Sequence, residues 1–486
     1  GGTFTDCIGY GPDGEIRRHK MLSTGITPGD VALESNSTCI VDPRRHSDPP
    51  GFWQGFQLRL VGPHDHSATS TVDSFDAESG RLRLTSPLAG WDATHEQKYE
   101  LSCGLPAPVV AIRYALGLPL DEDLPSVDVR LGTTRGTNAL LTRTGARTAL
   151  VTTRGLADIL SIRNQQRPDL FELNICKPRP IIECSVEVNE RLAANGDILE
   201  PLDIATTRDA LLALRQDGIR ALAICLLHGY AYPDHERQIA RLAEEIGFDD
   251  ISLSSEIAPL RKIIPRADTT AANAYLNPVL TAYRQKIELG IQASGATNDH
   301  RRIRWMTSAG GLVSGNDFCG KESVLSGPAG GVVGFSQTAA AAGFPRTIGF
   351  DMGGTSTDVA RFDGELERAY ETQKAGIHLS TPMLAIETVA AGGGSICDFD
   401  GVQITVGPES AQADPGPACY GRGGPLTITD MNLLLGRIRP DRFPFPLSHA
   451  AAAKPLARLC QRIAAVTGKT YAPLELAEGM LRLANA

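Results

Sequence analysis

No apolar run in the 486-residue chain approaches the ~20 residues that a membrane-spanning helix needs, so a helical span is excluded. No CxxC occurs either. The ten cysteines, at 7, 39, 103, 176, 184, 225, 319, 397, 419 and 460, are scattered without regular spacing. In a chain long enough to bury its own core, that usage reads as reduced thiols and not as a disulfide framework or a zinc site. Basic charge is outweighed, with 47 Lys and Arg against 56 Asp and Glu and a net charge of -9. Neither nucleic acid nor an anionic membrane is therefore expected as the main partner, and any bound anion must be held by a local site. GxSxG is missing, which leaves serine-hydrolase chemistry without support. No initiating Met and no signal peptide are present, and the last residues, Leu-Ala-Asn-Ala, fall in a helical pattern. The expectation is a cytoplasmic protein represented by a fragment cut at both ends.

What the chain does have is glycine, 50 residues against a usual ~7% of a chain, and the excess is clustered. At about 150 residues per domain, the length allows three domains or two large ones. A PDG turn precedes a strand over 16–22. Residues 40–95 are rich in Pro, Asp, Ser and His and contain two alternating stretches, FQLRLV and RLRLTS, so a small β-rich insertion is expected there. From 107 to 163 strands and helices alternate (VDVRLGTT, TNALLTR, TALVTT, then a helix over 155–162). A helix over 207–218 is ended by Gly218 and followed by a buried strand, ALAICLL. A long helix over 268–289 repeats Tyr275, Val279, Tyr283 and Ile287 on one face, and RIRWMTS reads as a strand. SGPAGGVVGFSQTAAAAG begins a helix whose small residues would let a second helix approach closely, and TIGFDMGG follows as a strand. This pattern is α/β, with parallel strands and crossover helices.

One repeat carries chemistry. GGTFTD at 1–6 and GGTSTD at 353–358 share G-G-T-x-T-D. Paired glycines in a strand-to-strand turn free backbone N–H groups for an anion, threonine hydroxyls donate to phosphate oxygens, and an aspartate offers a hard oxygen to hydrated Mg²⁺. A glycine-rich hairpin with polar turn residues explains one such segment; two copies in an α/β chain point to a paired phosphate site.

Two phosphate hairpins in two pseudo-repeated α/β domains, with a small-residue helix before the second, are the arrangement of the actin, hexokinase and heat-shock chaperone ATPase superfamily. Within it the chain resembles the hydantoinase A and 5-oxoprolinase family. The resemblance rests on GGTFTD (1–6), LGTTRGTNALLTRTGARTALVTT (131–153), RPDLFEL (167–173), AYLNPVL (274–280), SGPAGGVVG (326–334), IGFDMGGTSTDVA (348–360), VAAGGGSI (389–396) and VGPESAQADPGPACYGRGGPLTITDMNLLLGR (406–437). The chain departs from the family pattern at Gln412, where Gly is usual, and at Arg135 and Gly136.

The resemblance implies two RNase H-like domains around a nucleotide cleft, over 1–245 and 246–486, the second truncated at its C-terminus. It implies ATP and Mg²⁺ as cofactors. Gly1, Gly2, Thr3, Thr5, Gly353, Gly354, Thr355 and Thr357 would cradle phosphate. Asp6 and Asp358 would hold Mg²⁺ through water, with Asp351 as a further acidic group of the catalytic set. The implied reaction is ATP-dependent opening of a cyclic amide such as 5-oxoproline, a hydantoin or another lactam, by phosphorylation of the amide oxygen. A hydantoinase B-like half, fused or separate, and a homo- or hetero-oligomer are the implied partners. Rival readings are an ATP-dependent ketone carboxylase component, a sugar or acetate kinase, and an actin-like chaperone or assembly module. A GGAG-like turn for the adenosine end is expected beyond residue 486.

Other segments leave two readings each. Gly392, Gly393 and Gly394 either open a helix towards phosphate or line the cleft with backbone, or they form a structural turn. Thr133, Thr134 and Asn138 suit a substrate pocket, while Thr134 or Thr137 equally suits a helix N-cap. Arg163 and Arg167 either bind a carboxylate or carbonyl of the substrate or are solvated. Lys20 either reaches a phosphate or is a surface lysine. His46, His64, Asp65 and His66 read as a solvated loop. His95 with Cys103, and Cys225 with His228, have no metal-site spacing, and Cys397 and Cys419 read as small buried hydrophobes.

Overall fold

The structure, a computed structural model, describes residues 4–61, 68–89, 91, 98–165, 171–175, 177–291, 303–412, 414–443 and 445–485. Phe4–Tyr10 and Ile16–Leu22 form an antiparallel hairpin in register from Phe4 opposite Leu22 to Tyr10 opposite Ile16. The Asp13 carboxylate accepts from Glu15 N, and Gly14 has a left-handed φ of +82°, as the tight turn requires.

The β-rich insertion is larger than the composition suggested. Six strands run in the order Thr27–Asp30, Lys98–Ser102, Gln57–Val61, Thr69–Asp76, Arg81–Leu84 and Cys39–Val41. The two expected alternating stretches are Gln57–Val61 and Arg81–Leu84. Thr69–Asp76 escaped notice because it is mostly hydroxyl and acidic residues and a bulge between Val72 and Ser74 breaks its alternation. Phe52, Trp53, Phe56, Leu58, Leu82, Tyr99 and Leu101 fill the core under this sheet. The helix Ala107–Leu116 contributes Ala107, Val110 and Ala111 to the same core.

A second sheet is wholly parallel, in the order Cys184–Val188, Thr148–Thr153, Ala221–Cys225, Asp250–Leu253. Its two central strands are buried at every residue, as strands covered on both faces are. Ile204–Gln216 and Asp234–Ile246 are the crossover helices; Asp203 caps the first through the N–H groups of Ala205 and Thr206. The helix expected over 155–162 shrinks to Ile159–Ile162. Glu187 accepts from the N–H groups of Gly155 and Ala157 and holds that stretch as a loop. The strand Asp250–Leu253, past the expected boundary at 245, still belongs to this sheet.

The long helix, Ile263–Ile291, starts five residues earlier than the periodicity placed it and tolerates Pro265 in its first turn. Tyr275 and Ile287 are buried in the main core, and Val279 and Tyr283 pack against it, the Tyr283 ring edge-on to Trp305. Ile303–Met306 runs parallel to Val129–Leu131 and antiparallel to Leu312–Ser314. The helix Ser326–Ala341 lies against strands, with the Phe335 ring over Gly349, where a Cβ would meet it at 2.2 Å. Gly331 and Gly334 face open space, while Gly327, at the start of this helix, lies against Thr134 at the N-cap of the helix Arg135–Leu141. Arg346–Met352 and Thr357–Asp363 form the second hairpin, extended by Glu387–Val389. Ser395–Phe399 and Ile404–Ser410 carry the helices Ile428–Leu434, His449–Thr467 and Pro473–Ala484, packed around Met431, Leu456, Ile463 and Met480. The whole is a mixed α/β fold. Among the described residues no helix is long and apolar enough to cross a membrane.

Candidate functional site

The second GGTSTD segment forms the turn of a hairpin. Gly353 N donates to Ser356 O at 2.8 Å, and the register then sets Asp351 directly opposite Asp358. Asp351 is exposed and Asp358 half-buried. Burial pushes the Asp358 carboxyl up, the Thr388 hydroxyl donating to Oδ1 at 2.8 Å pulls it down, and the Asp351 charge raises it further. Lys374 Nζ donates to Thr388 Oγ1 at 3.1 Å, so a cation stands one hydroxyl away from Asp358. Thr357 is buried and gives its hydroxyl to Ala391 O at 2.6 Å. By contrast, the N–H groups of the exposed residues Gly354 and Thr355, at the crest of the turn, make no hydrogen bond among the described residues. They are the donors the site has to offer.

The three glycines at 392–394 stand directly behind that turn. Gly393 N donates to Gly353 O at 2.9 Å and Gly394 N to Gly354 O at 2.6 Å, while Gly392 N is taken by Ser395 Oγ. A Cβ at Gly392 would lie 2.8 Å from Gly354 C and O, and one at Gly394 would lie 2.7 Å from Gly354 O. Backbone must meet backbone here, which only glycine permits. The helix expectation is corrected, because Ser395–Phe399 is a strand. Direct donation from Gly392, Gly393 and Gly394 to phosphate is corrected too: their N–H groups are engaged within the chain, and the segment shapes the turn from behind.

In the first copy Gly1, Gly2 and Thr3 lie outside the described residues. Thr5 Oγ1 is 2.9 Å from Ser23 Oγ. Asp6 is the register partner of Lys20, whose Nζ donates to Asp6 Oδ1 at 2.9 Å. Lys20 is thus an exposed lysine held by the motif's own aspartate, 5.1 Å from the Phe4 ring. Phe4 stacks on Phe445 with ring centroids 6.5 Å apart, which ties this hairpin to the C-terminal part of the chain.

Thr133 is buried; its N–H donates to Ser326 Oγ and its Oγ1 accepts from Arg135 N at 3.1 Å. Thr133 therefore plays the capping part expected of Thr134 or Thr137. Thr134 stands at the N-cap position without a side-chain bond, and Thr137 Oγ1 instead accepts from Leu325 N. Asn138 is exposed. A Cβ on Gly327 would meet Thr134 Cγ2 at 2.8 Å, so this loop lies against the start of the helix Ser326–Ala341. The solvated reading of Arg163 is corrected: its Nε donates to Leu160 O and its Nη1 to Gly376 O at 2.6 Å. Arg167 lies outside the described residues, as do His64, Asp65, His66, His95 and Cys176.

Thr388 and Lys374 are the site residues that the motifs did not reveal. They become neighbours of Asp358 only through strand pairing. Among the described residues no group of three or more His, Cys, Asp and Glu could hold a metal ion alone. Two opposed carboxylates suit a hard cation that keeps most of its waters, as Mg²⁺ does, and the N–H donors beside them suit an anion. The nine described cysteines are unpaired, and burial pushes the Cys397 thiol up to about 12 and Cys419 up as well, which leaves both inert.

Comparison with known proteins places this geometry. The hydantoinase/oxoprolinase family matches residues 266–486, and the hydantoinase/oxoprolinase N-terminal region matches residues 93–247. A 5-oxoprolinase of Saccharomyces cerevisiae is 46% identical over 477 residues, covering 91% of this chain and 32% of that protein. This chain spans about a third of the length of that relative. Among solved structures, nucleotide-free acetone carboxylase aligns with a TM-score of 0.64 and 26% identity over 78% of this chain and 56% of that one. The ATP-dependent caprolactamase of Pseudomonas jessenii aligns with a TM-score of 0.60 and 26% identity over 88% and 61%. The chain belongs to the hydantoinase/oxoprolinase family.

Proposed function

We propose that this chain is the ATP-binding part of an enzyme that hydrolyses a cyclic amide, with two actin-like domains, about 1–245 and 246–486, around the nucleotide. The observation that carries the reading is the second turn, where open N–H groups at Gly354 and Thr355 adjoin the opposed carboxylates of Asp351 and Asp358. Relatives named 5-oxoprolinase and caprolactamase supply the substrate class.

Gly354 and Thr355 N–H, with the Thr355 hydroxyl, would hold phosphate oxygens, joined from the first hairpin by Gly1, Gly2 and Thr3. Asp358 and Asp351 would hold hydrated Mg²⁺, with Asp6 from the other side, and a cation there would offset the repulsion between the two opposed carboxylates. Bound ATP supplies the phosphoryl group that turns the weakly electrophilic amide into one carrying a good leaving group. Thr388 and Lys374 keep Asp358 ionised and aimed. Thr133, Thr134, Asn138, Arg163 and Arg167 are candidates for the substrate side. A second, B-type half, fused or separate, would complete the enzyme in a homo- or hetero-oligomer, and unpaired thiols suit the cytoplasm.

A second reading, ATP-dependent carboxylation of a ketone, is favoured by the alignment with acetone carboxylase. ADP release by the full-length protein decides between them. Stimulation by 5-oxoproline or another lactam supports hydrolysis; stimulation only by bicarbonate with a ketone supports carboxylation.

A further inference from the structure

Two charges beside the long helix, buried Asp268 and half-buried Arg163, are left incompletely satisfied. Asp268, 2% exposed, has no hydrogen-bond partner at Oδ2. Arg163 uses Nε on Leu160 O and Nη1 on Gly376 O, while its buried Nη2 has no partner. One segment meets both: Gly376 O accepts from Arg163 Nη1 at 2.6 Å, and Ser380 N donates to Oγ1 of Thr269, the neighbour of Asp268, at 2.9 Å, yet among the described residues the two charges close no ion pair. Two further buried atoms without partners, His378 Nδ1 and Ser380 Oγ, belong to the segment whose His378 backbone N–H acts on the same carboxylate. A single unpaired buried polar atom is a common flaw; a donor and an acceptor of opposite charge, both unpaired in one place, describe a ligand's complement.

Position and strain support this. Arg163 follows Thr148–Thr153, whose sheet neighbours lie on opposite sides, Cys184–Val188 on one and Ala221–Cys225 on the other. The crevice at the carboxyl ends of such strands is where open α/β sheets bind ligands. Arg266, two residues before Asp268, donates to Leu226 O and Leu227 O just past Ala221–Cys225, so the first turns of the long helix lie beside the carboxyl end of that strand. Arg163 itself has φ +54° and ψ −148°, a region that only glycine enters without strain. Thr372–Lys374 and Ile377–Leu379 pair as a hairpin whose Gly376 carbonyl anchors Arg163 and whose Lys374 reaches Asp358 through Thr388. The unpaired pair is thus one short hairpin away from the second turn.

We infer that Asp268 and Arg163 recognise the edge of the substrate amide, Oδ2 accepting its N–H and Nη2 donating to its carbonyl oxygen. In a small ring the amide is cis, so N–H and C=O lie on one edge and a single acceptor–donor pair meets both; an open-chain trans amide presents them on opposite sides. Arg163 occupies one lone pair of the oxygen and leaves the other for phosphorus. Asp268, by drawing on the N–H, raises the electron density on that oxygen. This inference rests on the proposed lactam chemistry and deepens it.

The test compares 5-oxoproline with its N-methyl derivative, which cannot donate to Asp268, using the full-length protein. The wild type is expected to favour the N–H lactam by about 100-fold in kcat/KM. Asp268→Asn and Asp268→Leu should both lose about 100-fold on 5-oxoproline and little on the N-methyl form, so that the preference collapses. ATP affinity and the thermal midpoint should not fall, because an unsatisfied buried carboxylate is being removed. A preference that survives in both variants, or equal losses on both lactams with a lowered midpoint, overturns the assignment while leaving lactam hydrolysis intact. A wild type that releases no ADP in response to any lactam overturns both.

Discussion

Lys20 donates to Asp6 at 2.9 Å across the first hairpin, and the two residues are direct cross-strand partners. The matching aspartate of the second copy, Asp358, is also served by a lysine, but through the hydroxyl of Thr388. Both copies of the motif thus bring a cation to the same carboxylate, once directly and once by relay.

Lys20→Met separates two roles. The pair is exposed and so contributes at most about 1 kcal/mol to stability. With Lys20 held on Asp6, the variant should keep ATP affinity and need less Mg²⁺ for half-maximal turnover, because the ammonium no longer competes for the carboxylate. A large loss of ATP affinity in calorimetric titration would instead give Lys20 to phosphate.

Asp358→Asn should lower ATP turnover by about 100- to 1,000-fold, since a carboxylate beside the metal stabilises charge that develops in the transition state. Stability should hold or rise, because like charges directly opposite on paired strands repel. Steady-state ADP release at saturating Mg²⁺, beside a thermal melt, reads both. Wild-type turnover would remove Asp358 from the chemistry.

Gly392→Ala and Gly331→Ala form a matched pair. A Cβ at 392 meets the backbone of Gly354 at 2.8 Å, which cannot swing aside, so a loss of about 1–3 kcal/mol and of ATP binding is expected. At 331 nothing lies within 4 Å and the residue is helical, so alanine should add about 0.5–1 kcal/mol. Urea midpoints of the two variants give the comparison.

His19 predicts an acid limb in stability. Its ring stacks on Tyr114 at 3.7 Å, and burial lowers its pKa from 6.5 to about 4, with Asp48 opposing the shift and Arg45 adding to it. The unfolded chain therefore takes up this proton first as pH falls. The contribution is complete above about pH 6.5 and is lost on the way down to about 4. His19→Gln should flatten that part of the pH dependence, measured as denaturation midpoints at pH 7.5 and 5.

The elements easiest to read from sequence were those with one dominant signal. Ala221–Cys225 is a continuous apolar run, and Gly218 marks the end of Ile204–Gln216, whose first turn and Asp203 cap, before the expected start at 207, went unread. The repeat led straight to Asp351 and Asp358, because strand register follows from turn length. Thr388 and Lys374 escaped because pairing between distant segments leaves no local mark. Asp268 escaped because a single carboxylate in the first turns of a helix reads as an ordinary solvent-facing acid until its burial is known. Gly392–Gly394 read as a helix opening, a cleft lining or a turn, and nothing local showed that they approach the backbone of the second hairpin.

That approach has a consequence for mutagenesis. Thr429 N and Oγ1 both donate to Gly393 O, and Gly393 N in turn donates to Gly353 O. The start of the helix Ile428–Leu434 and the second turn are therefore joined through one peptide unit on each side, with no side chain of the glycines between them. A shift of the C-terminal helical layer would reach the turn directly through the main chain. Side-chain truncation is blind to such a linkage; replacing the 392–393 amide by an ester, which deletes Gly393 N–H alone, is the change that would expose it.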